Sequence, residues 1–201
     1  MSWSPRYTYN SVYRRSHICT DECTYKFIEF CKYGMISDAF NLEFKHEIDI
    51  HMNKEEAFRS ACEGGYFSVV KYLIEKCTNT TRYKPIDIHT YNEDAFVSAC
   101  AKGSLSIVKY LAELHMNDTE SGHNYGKIDI HVHNENPLYY ACKNGHLSIV
   151  KYLMELHITN PNYTKIDSSQ GIQIAREKGH THIVEYLTNF DKTPAHKVTY
   201  F

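Results

Sequence analysis

The sequence predicts an all-α repeat solenoid, and two observations carry that prediction. First, five glycines occupy the same place in five copies of one pattern, 31, 38, 42 and 34 residues apart. They are Gly34, Gly65, Gly103, Gly145 and Gly179. Second, the apolar residues that follow each glycine fall on one helical stripe. Self-similarity on this scale is typical of stacked units, none of which can bury its apolar face alone. Such arrays usually bind another molecule rather than catalyse a reaction.

Each complete copy is predicted to contain an extended piece, a polar turn and two helices. The extended pieces are Ile48–His51, Ile86–His89 and Ile128–His131. First helices are predicted over residues 56–63, 94–102 and 136–144, and each is followed by a glycine. A helix commonly ends at a residue with left-handed backbone dihedrals, and glycine adopts these without steric cost. The second helices carry the apolar stripe, for example Val69, Val70 and Leu73. Ser68, Ser106 and Ser148 precede these stripes and are predicted to be N-caps.

Bulk composition excludes several classes of function. The chain has 201 residues, 42% of them hydrophobic, which suits a folded core. A net charge of −2 offers no strong field to nucleic acid or to an acidic membrane, so neither partner is expected. No apolar run approaches the roughly 18 residues of a membrane-spanning helix. Because no secretory signal follows Met1, we expect an intracellular, cytoplasmic protein that is not secreted.

The cysteines predict buried thiols rather than disulfides. Cys62, Cys100 and Cys142 share one repeat position, and Cys31 occupies it in a degenerate first copy. Stacked helices lie about 8–10 Å apart, whereas a disulfide needs Cα atoms within about 7 Å. We therefore interpret these residues as small buried apolar side chains in a reducing compartment.

The third complete copy resembles the ankyrin repeat. Asn136-Pro137-Leu138-Tyr139 stands where that family has Thr-Pro-Leu-His, Ala141-Cys142 stands for Ala-Ala, and Gly145-His146 for Gly-His. The resemblance covers residues 48–187 well and 24–47 weakly. It implies ankyrin-type helix-turn-helix units, and a connection about three residues shorter than the family norm implies short finger turns. The composition of the repeats, which are rich in Asn, Lys and Tyr, is similar to that of ankyrin proteins of mimivirus-like giant amoebal viruses.

The repeat boundaries predict one domain with two flanking segments. The predicted parts are a loosely ordered arm (1–20), a degenerate N-cap (21–47), full repeats (48–85, 86–127 and 128–165), a C-cap (166–190) and a tail (191–201). The ankyrin domain is thus expected to span residues 21–190. Terminal repeats of a solenoid need one polar face, so atypical sequence in the caps is expected.

Candidate metal and catalytic residues are explained better by the repeat. His51, His89 and His131 recur two residues after an aspartate, but repeat spacing far exceeds the reach of about 2–2.2 Å of a metal ligand. We therefore predict that these Asp and His side chains bond the finger backbone between neighbouring repeats. Two less favoured alternatives are a surface metal at His131 and His133, and zinc at Cys19 and Cys23 with His17 and Cys31.

No motif for nucleotide binding, zinc proteolysis or serine hydrolysis is present. We predict no enzymatic activity, no metal and no cofactor.

The resemblance implies that a partner protein binds a concave face made of finger tips and exposed first-helix positions. The candidate partner-binding residues are Met52, Asn53, Lys54, Glu63, Thr90, Tyr91, Asn92, Ala101, Lys102, Val132, His133, Asn134, Lys143 and Asn144. Tyr91 and His133 are the largest candidate anchors, and aromatic residues tend to dominate interface energetics.

Several alternatives stay open. The site could lie on the long inserts at residues 76–85, 115–127 and 157–165. The protein could be a structural component of a larger assembly or virion. It could also be a ubiquitin-ligase adaptor that uses the arm or the tail as a second contact. A monomer is expected.

Overall fold

The computed structural model of the chain describes residues 21–114, 125–159 and 164–192, which form ten α-helices and no β-strand. In chain order these helices are α1 (Asp21–Lys32), α2 (Ile36–Lys45), α3 (Met52–Gly64), α4 (Phe67–Thr78), α5 (Thr90–Lys102), α6 (Leu105–Glu113), α7 (Val132–Lys143), α8 (Leu147–Thr159), α9 (Ser169–Glu177) and α10 (Thr181–Lys192). The predicted all-α repeat solenoid is confirmed.

The helices form five antiparallel pairs arranged in two layers. Each odd-numbered helix packs against the next odd-numbered helix, from α1 to α9, and so builds a continuous inner layer. Each even-numbered helix packs on the odd-numbered helix that precedes it and forms the outer layer. Because every pair covers the apolar face of its neighbour, the core runs along the array instead of closing on itself.

One hydrophobic cluster extends through all five pairs. Inner helices contribute Phe27, Phe58, Phe96 and Leu138 from one repeat position, each at most 1% exposed. The cysteines at the shared repeat position of the inner helices are completely buried free thiols, as predicted; they are Cys31, Cys62, Cys100 and Cys142. Burial raises the pKa of Cys31 and of Cys142 to about 12, so both stay protonated and behave as small apolar side chains.

The glycines end the inner helices as predicted. Gly65 and Gly103 are the C-cap residues of α3 and α5, with φ of 80° and 88°. The backbone N–H of Gly103 donates to the carbonyls of Ala99 and Cys100, which closes the last helical turn. A side chain in this left-handed backbone would be strained, and glycine avoids that cost.

The predicted N-caps of the outer helices are wrong. Helices α4, α6 and α8 begin at Phe67, Leu105 and Leu147. Ser68, Ser106 and Ser148 are therefore second helical residues, and no side chain caps α4 or α6. The turn at the preceding glycine leads into the new helix after a single residue. The carbonyl of that residue, for example Tyr66, accepts the N–H groups of Val69 and Val70.

The expected segment boundaries fall partly outside the described residues. Residues 1–20, most of the insert at 115–127 and the tail from residue 193 are not described, and α10 continues to Lys192. Among the residues that are described, no helix is long and apolar enough to cross a membrane.

Candidate functional site

The finger of each complete repeat is a short left-handed turn. Three consecutive residues that are not glycine have positive φ, between 49° and 68°, in each of three fingers. The turns span residues 53–55, 91–93 and 133–135. They stand directly before the right-handed part of α3, α5 and α7, which explains why these helices begin earlier than predicted. Left-handed backbone costs about 1–2 kcal/mol per residue, so the surrounding structure must hold these turns in place.

A glutamate at the third position anchors each turn. Glu55 and Glu93 are 2% and 5% exposed. The Nδ1 atom of His51 lies 2.9 Å from the Glu55 carboxylate, and that of His89 lies 2.7 Å from Glu93. His131 and Glu135 repeat the arrangement at 2.8 Å. The turn thus brings together a histidine and a glutamate four residues apart and buries the carboxylate beneath the finger.

The same glutamates tie each repeat to the next. Glu55 accepts the backbone N–H of Asp87 at 3.2 Å, and Glu93 accepts that of Asp129 at 3.1 Å. Glu135 accepts the N–H of Asp167 at 3.4 Å. Because one carboxylate holds both its own finger and the neighbouring repeat, the fingers are fixed relative to one another. We call this set of bonds the glutamate ladder.

The aspartates complete each finger within their own repeat. Oδ1 of Asp87 accepts the backbone N–H of His89 at 3.0 Å, and Asp129 does the same for His131 at 2.9 Å. His89 also contacts the backbone carbonyl of Tyr125, shortly before the next finger, through Nε2. The aspartates thus bond finger backbone within one repeat and not between neighbours as predicted, and the principal partner of each finger histidine is a glutamate absent from the prediction. The sequence does contain a signal for this pairing, because a glutamate follows each of the three finger histidines by four residues.

The hydrogen bond to Glu93 raises the pKa of His89 to about 8, against partial burial, which lowers it. The carbonyl of Tyr125 and the charge of Asp87 act in the same direction as Glu93. His89 is consequently positive at neutral pH and forms a charge-assisted bond within the ladder.

No group of three or more His, Cys, Asp or Glu side chains within the described ranges could hold a metal ion. In the proposed surface pair, both ring nitrogens of His131 are engaged, by Glu135 and by the hydroxyl of Thr164 at 3.0 Å. The alternative zinc cluster depends on Cys19 and His17, which lie outside the described residues.

The first two residues of each left-handed turn belong to the predicted finger tips, and all six are exposed; they are called the tips below. They are Asn53, Lys54, Tyr91, Asn92, His133 and Asn134. Of the candidates just before the tips, Met52 and Thr90 are half-buried. Val132 is only 7% exposed, which corrects its assignment as a contact residue, since its side chain faces away from solvent.

The candidates at the ends of the inner helices are also accessible. Glu63, Lys102 and Asn144 are exposed, and Ala101 and Lys143 are half-buried. The side-chain amide of Asn144 donates to the carbonyl of Ala101 at 2.6 Å, which joins two neighbouring repeats. We call the surface formed by the six tips and the exposed residues of α3, α5 and α7 the finger face.

Tyr91 is the largest exposed side chain at the finger tips, with 55% of its surface accessible. The Arg59 guanidinium lies 4.6 Å from the centre of its ring, and the Lys54 ammonium lies 4.9 Å away. Arg59 pairs with Asp94 at 3.2 Å and donates to the Lys54 carbonyl at 3.0 Å. Arg59 was absent from the predicted site, although it is an exposed-side residue of the first helix.

A second aromatic group, also missed, lies on α7. The rings of Tyr139 and Tyr140 meet edge to face with centroids 5.3 Å apart, and the Lys143 ammonium lies 5.6 Å from the Tyr140 ring. Tyr139 occupies the repeat position of Arg59, a correspondence that the sequence already contained.

Stacked helix pairs joined by fingers define the class of helical-repeat proteins. The family model described as "Ankyrin repeats (3 copies)" matches residues 27–121 and 84–167, well over half of the chain. The chain belongs to the ankyrin-repeat family, whose repeats generally mediate protein–protein interaction. A search of curated proteins found no match.

Proposed function

We propose that this chain is a non-catalytic module that binds another protein through the finger face. One observation carries the proposal: six exposed tip residues stand on three identical left-handed turns, and the glutamate ladder fixes those turns. Because the backbone of the tips is held before binding, less conformational entropy is lost when a partner docks. Strained backbone also tends to persist at functional sites.

The side chains at the tips supply suitable anchors. Tyr91 offers a large ring that Arg59 and Lys54 contact through their cationic groups, while more than half of its surface faces solvent. Tyrosine and arginine are enriched among residues that dominate interface energies. His133 occupies the first tip position of the third finger, as Tyr91 does in the second. We therefore place the centre of the contact between these two fingers.

The double substitution Tyr91→Ala and His133→Ala tests the site. We expect partner binding to weaken at least tenfold, since loss of one anchor commonly costs about 2 kcal/mol or more. The melting temperature should change little, because both side chains are exposed. Affinity capture from a cell extract with quantitative mass spectrometry identifies proteins held by the wild type, and titration calorimetry then measures their affinities.

A matched control is Lys71→Ala with Glu75→Ala, an exposed pair on the outer helix α4 with half of each side chain accessible. A protein that binds the finger face should be retained by this control variant and lost by the variant with Tyr91→Ala and His133→Ala. If both variants retain the same proteins, the proposal fails, and the contact moves to the inserts at 76–85, 115–127 and 157–165.

We further propose an intracellular, cytoplasmic monomer. The similarity to ankyrin proteins of giant amoebal viruses stays a prediction. Roles as a virion component or a ubiquitin-ligase adaptor stay alternatives. An adaptor would hold two different proteins at once, and loss of the arm would release only one of them.

A further inference from the structure

Helix α2 exposes an aromatic pair. Phe40 is 48% exposed and Phe44 is 63% exposed, and their rings stack with centroids 6.5 Å apart. Phe40 also meets the edge of the Tyr72 ring on α4, with centroids 6.2 Å apart. Of the seven large hydrophobic side chains that are exposed in the described part of the chain, five lie between residues 25 and 44. The first helix pair, α1 with α2, and the turn between them thus carry most of the exposed large hydrophobic side chains of the described solenoid.

The other repeats show what this surface would ordinarily be. When Gly34 is aligned with Gly65, Phe40 and Phe44 fall on Lys71 and Glu75 of α4. Those two side chains are about half exposed and pair at 3.5 Å. Helices α6 and α8 have Lys109 with Glu113 and Lys151 with Glu155 at the same positions.

A solvated Lys/Glu pair has therefore been replaced by two phenylalanines in the repeat where a polar face was expected. Covering them would stabilise the protein, since burial contributes about 25 cal/mol per Å² of apolar surface.

The twenty residues that precede α1 join the fold beside this pair. Thr24, in the first turn of α1, accepts the backbone N–H of Asp49 at 3.4 Å. Asp49 follows closely after Lys45, the last residue of α2, and Phe44 comes immediately before Lys45. The start of α1 therefore lies at the end of α2 that carries Phe44. Ten helical residues span about 15 Å, and twenty extended residues reach about 66 Å, so residues 1–20 can cover the whole face of α2.

The composition of residues 1–20 complements this face. The segment contains four aromatic residues, at positions 3, 7, 9 and 13, with three arginines and no acid. Exposed acids lie on the same helix pair, namely Asp38 on α2, Glu47 just beyond it and Glu22 in α1. Aromatic side chains and arginine both pack well on phenylalanine rings, and arginine can pair with the carboxylates of this helix pair.

We propose that residues 1–20 of this chain pack against the face of α2 that carries Phe40 and Phe44 and so complete the N-terminal cap of the solenoid. The occupant is this chain's own segment, tethered at the end of the face it covers. The proposal departs from the expectation of a loosely ordered arm. It is independent of the finger face, which lies on the inner helices.

Trp3 makes the proposal testable in the full chain, because it is the only tryptophan. With the segment docked, Trp3 emission should be blue-shifted relative to N-acetyltryptophanamide, and acrylamide should quench it several-fold less efficiently. The variant Phe40→Lys with Phe44→Glu gives α2 the pair that α4, α6 and α8 already have. Lys and Glu are good helix formers, so the variant should keep its helical circular dichroism. Its Trp3 should become as accessible as the free analogue.

The control Lys109→Ala with Glu113→Ala changes the equivalent pair on α6 and should leave Trp3 protected. The proposal is overturned if Trp3 is fully accessible in the wild type, or if it stays equally protected in the α2 variant. It is also overturned if protection disappears on dilution together with a halving of the molecular mass, since a second copy would then cover α2.

Discussion

At the residue scale, the buried glutamates organise the fingers. Glu93 illustrates the role: its carboxylate meets the His89 ring within the finger and the Asp129 N–H in the next repeat. Oε1 of Glu93 takes both contacts, and this pairing offsets part of the cost of burying the carboxylate. At the two ends of the array the pattern is reduced. Thr24 takes the place of the glutamate before the first finger, and Ser169 stands where the others have histidine.

His89 predicts a pH dependence of stability. Its pKa is raised from 6.5 to about 8 in the folded protein, chiefly by the bond to Glu93. The stabilisation from protonated His89 is therefore fully present below pH 6.5 and is lost as the pH rises through about 8. Urea unfolding across this range should show a falling free energy of unfolding. Glu93→Gln should remove the part of this pH dependence that comes from His89. An NMR titration that places the His89 pKa at or below 6.5 would contradict the assignment.

At the element scale, the left-handed turn replaces a longer hairpin finger. The short connection leaves few residues in which to reverse the chain before the inner helix starts. Three left-handed residues achieve the reversal, and they place the third side chain under the finger and the first two in solvent. Asparagine tolerates this backbone better than most residues, which suits Asn53, Asn92 and Asn134. Lys54 and Tyr91 have no such preference, so their conformation is imposed by the surrounding structure.

Glycine substitution at two lysines should have opposite effects. Lys54 has φ of 56°, so Lys54→Gly should raise the free energy of unfolding by about 1 kcal/mol, because glycine adopts this backbone without strain. Loss of the Lys54 contact with Tyr91 offsets part of the gain. Lys71 is an exposed residue of the regular helix α4, where glycine should cost about 1 kcal/mol. Urea unfolding measures both changes, and a loss of stability at both sites would mean that the turn is not strained.

At the scale of the whole molecule, stability is distributed along the array. The hydrophobic cluster passes through all five pairs, and each inner helix packs against the inner helices next to it in the stack. In such an array each repeat is stabilised by the two beside it, and the end repeats by one. Local opening is therefore expected to begin at the ends.

The buried thiols report that opening repeat by repeat. Cys31, Cys62, Cys100 and Cys142 are completely buried, so iodoacetamide should reach each one only when its repeat opens. We expect Cys31, in the terminal pair, to be alkylated sooner than Cys100, which has complete repeats on both sides. Pulsed alkylation and peptide mass spectrometry measure the rates, and the urea-unfolded chain provides the control in which they converge. Equal native rates would instead indicate a single cooperative opening.

Much of the scaffold could be predicted because its signals are local. The stripe that includes Val69, Val70 and Leu73 is a periodicity within one helix, and the stop at Gly103 depends on the φ of a single residue. Six of the nine residues predicted at the finger tips, from their place in the repeat, are exposed on the fingers. Val132 was misplaced because repeat position does not reveal which way a side chain points. Arg59 was missed because its contact with Tyr91 joins two different repeats.

The sequence by itself determined the class of fold, the number of helix pairs and the burial of the cysteines at the shared repeat position, since each follows from short-range patterns repeated along the chain. Only the tertiary structure decided the handedness of the finger turns, the glutamate ladder and the exposure of Phe40 and Phe44. The bond from the Asp87 N–H to Glu55 spans 32 residues of sequence. Likewise, a phenylalanine on an amphipathic helix is buried or exposed according to what packs beside it, and that is settled by the neighbouring repeats.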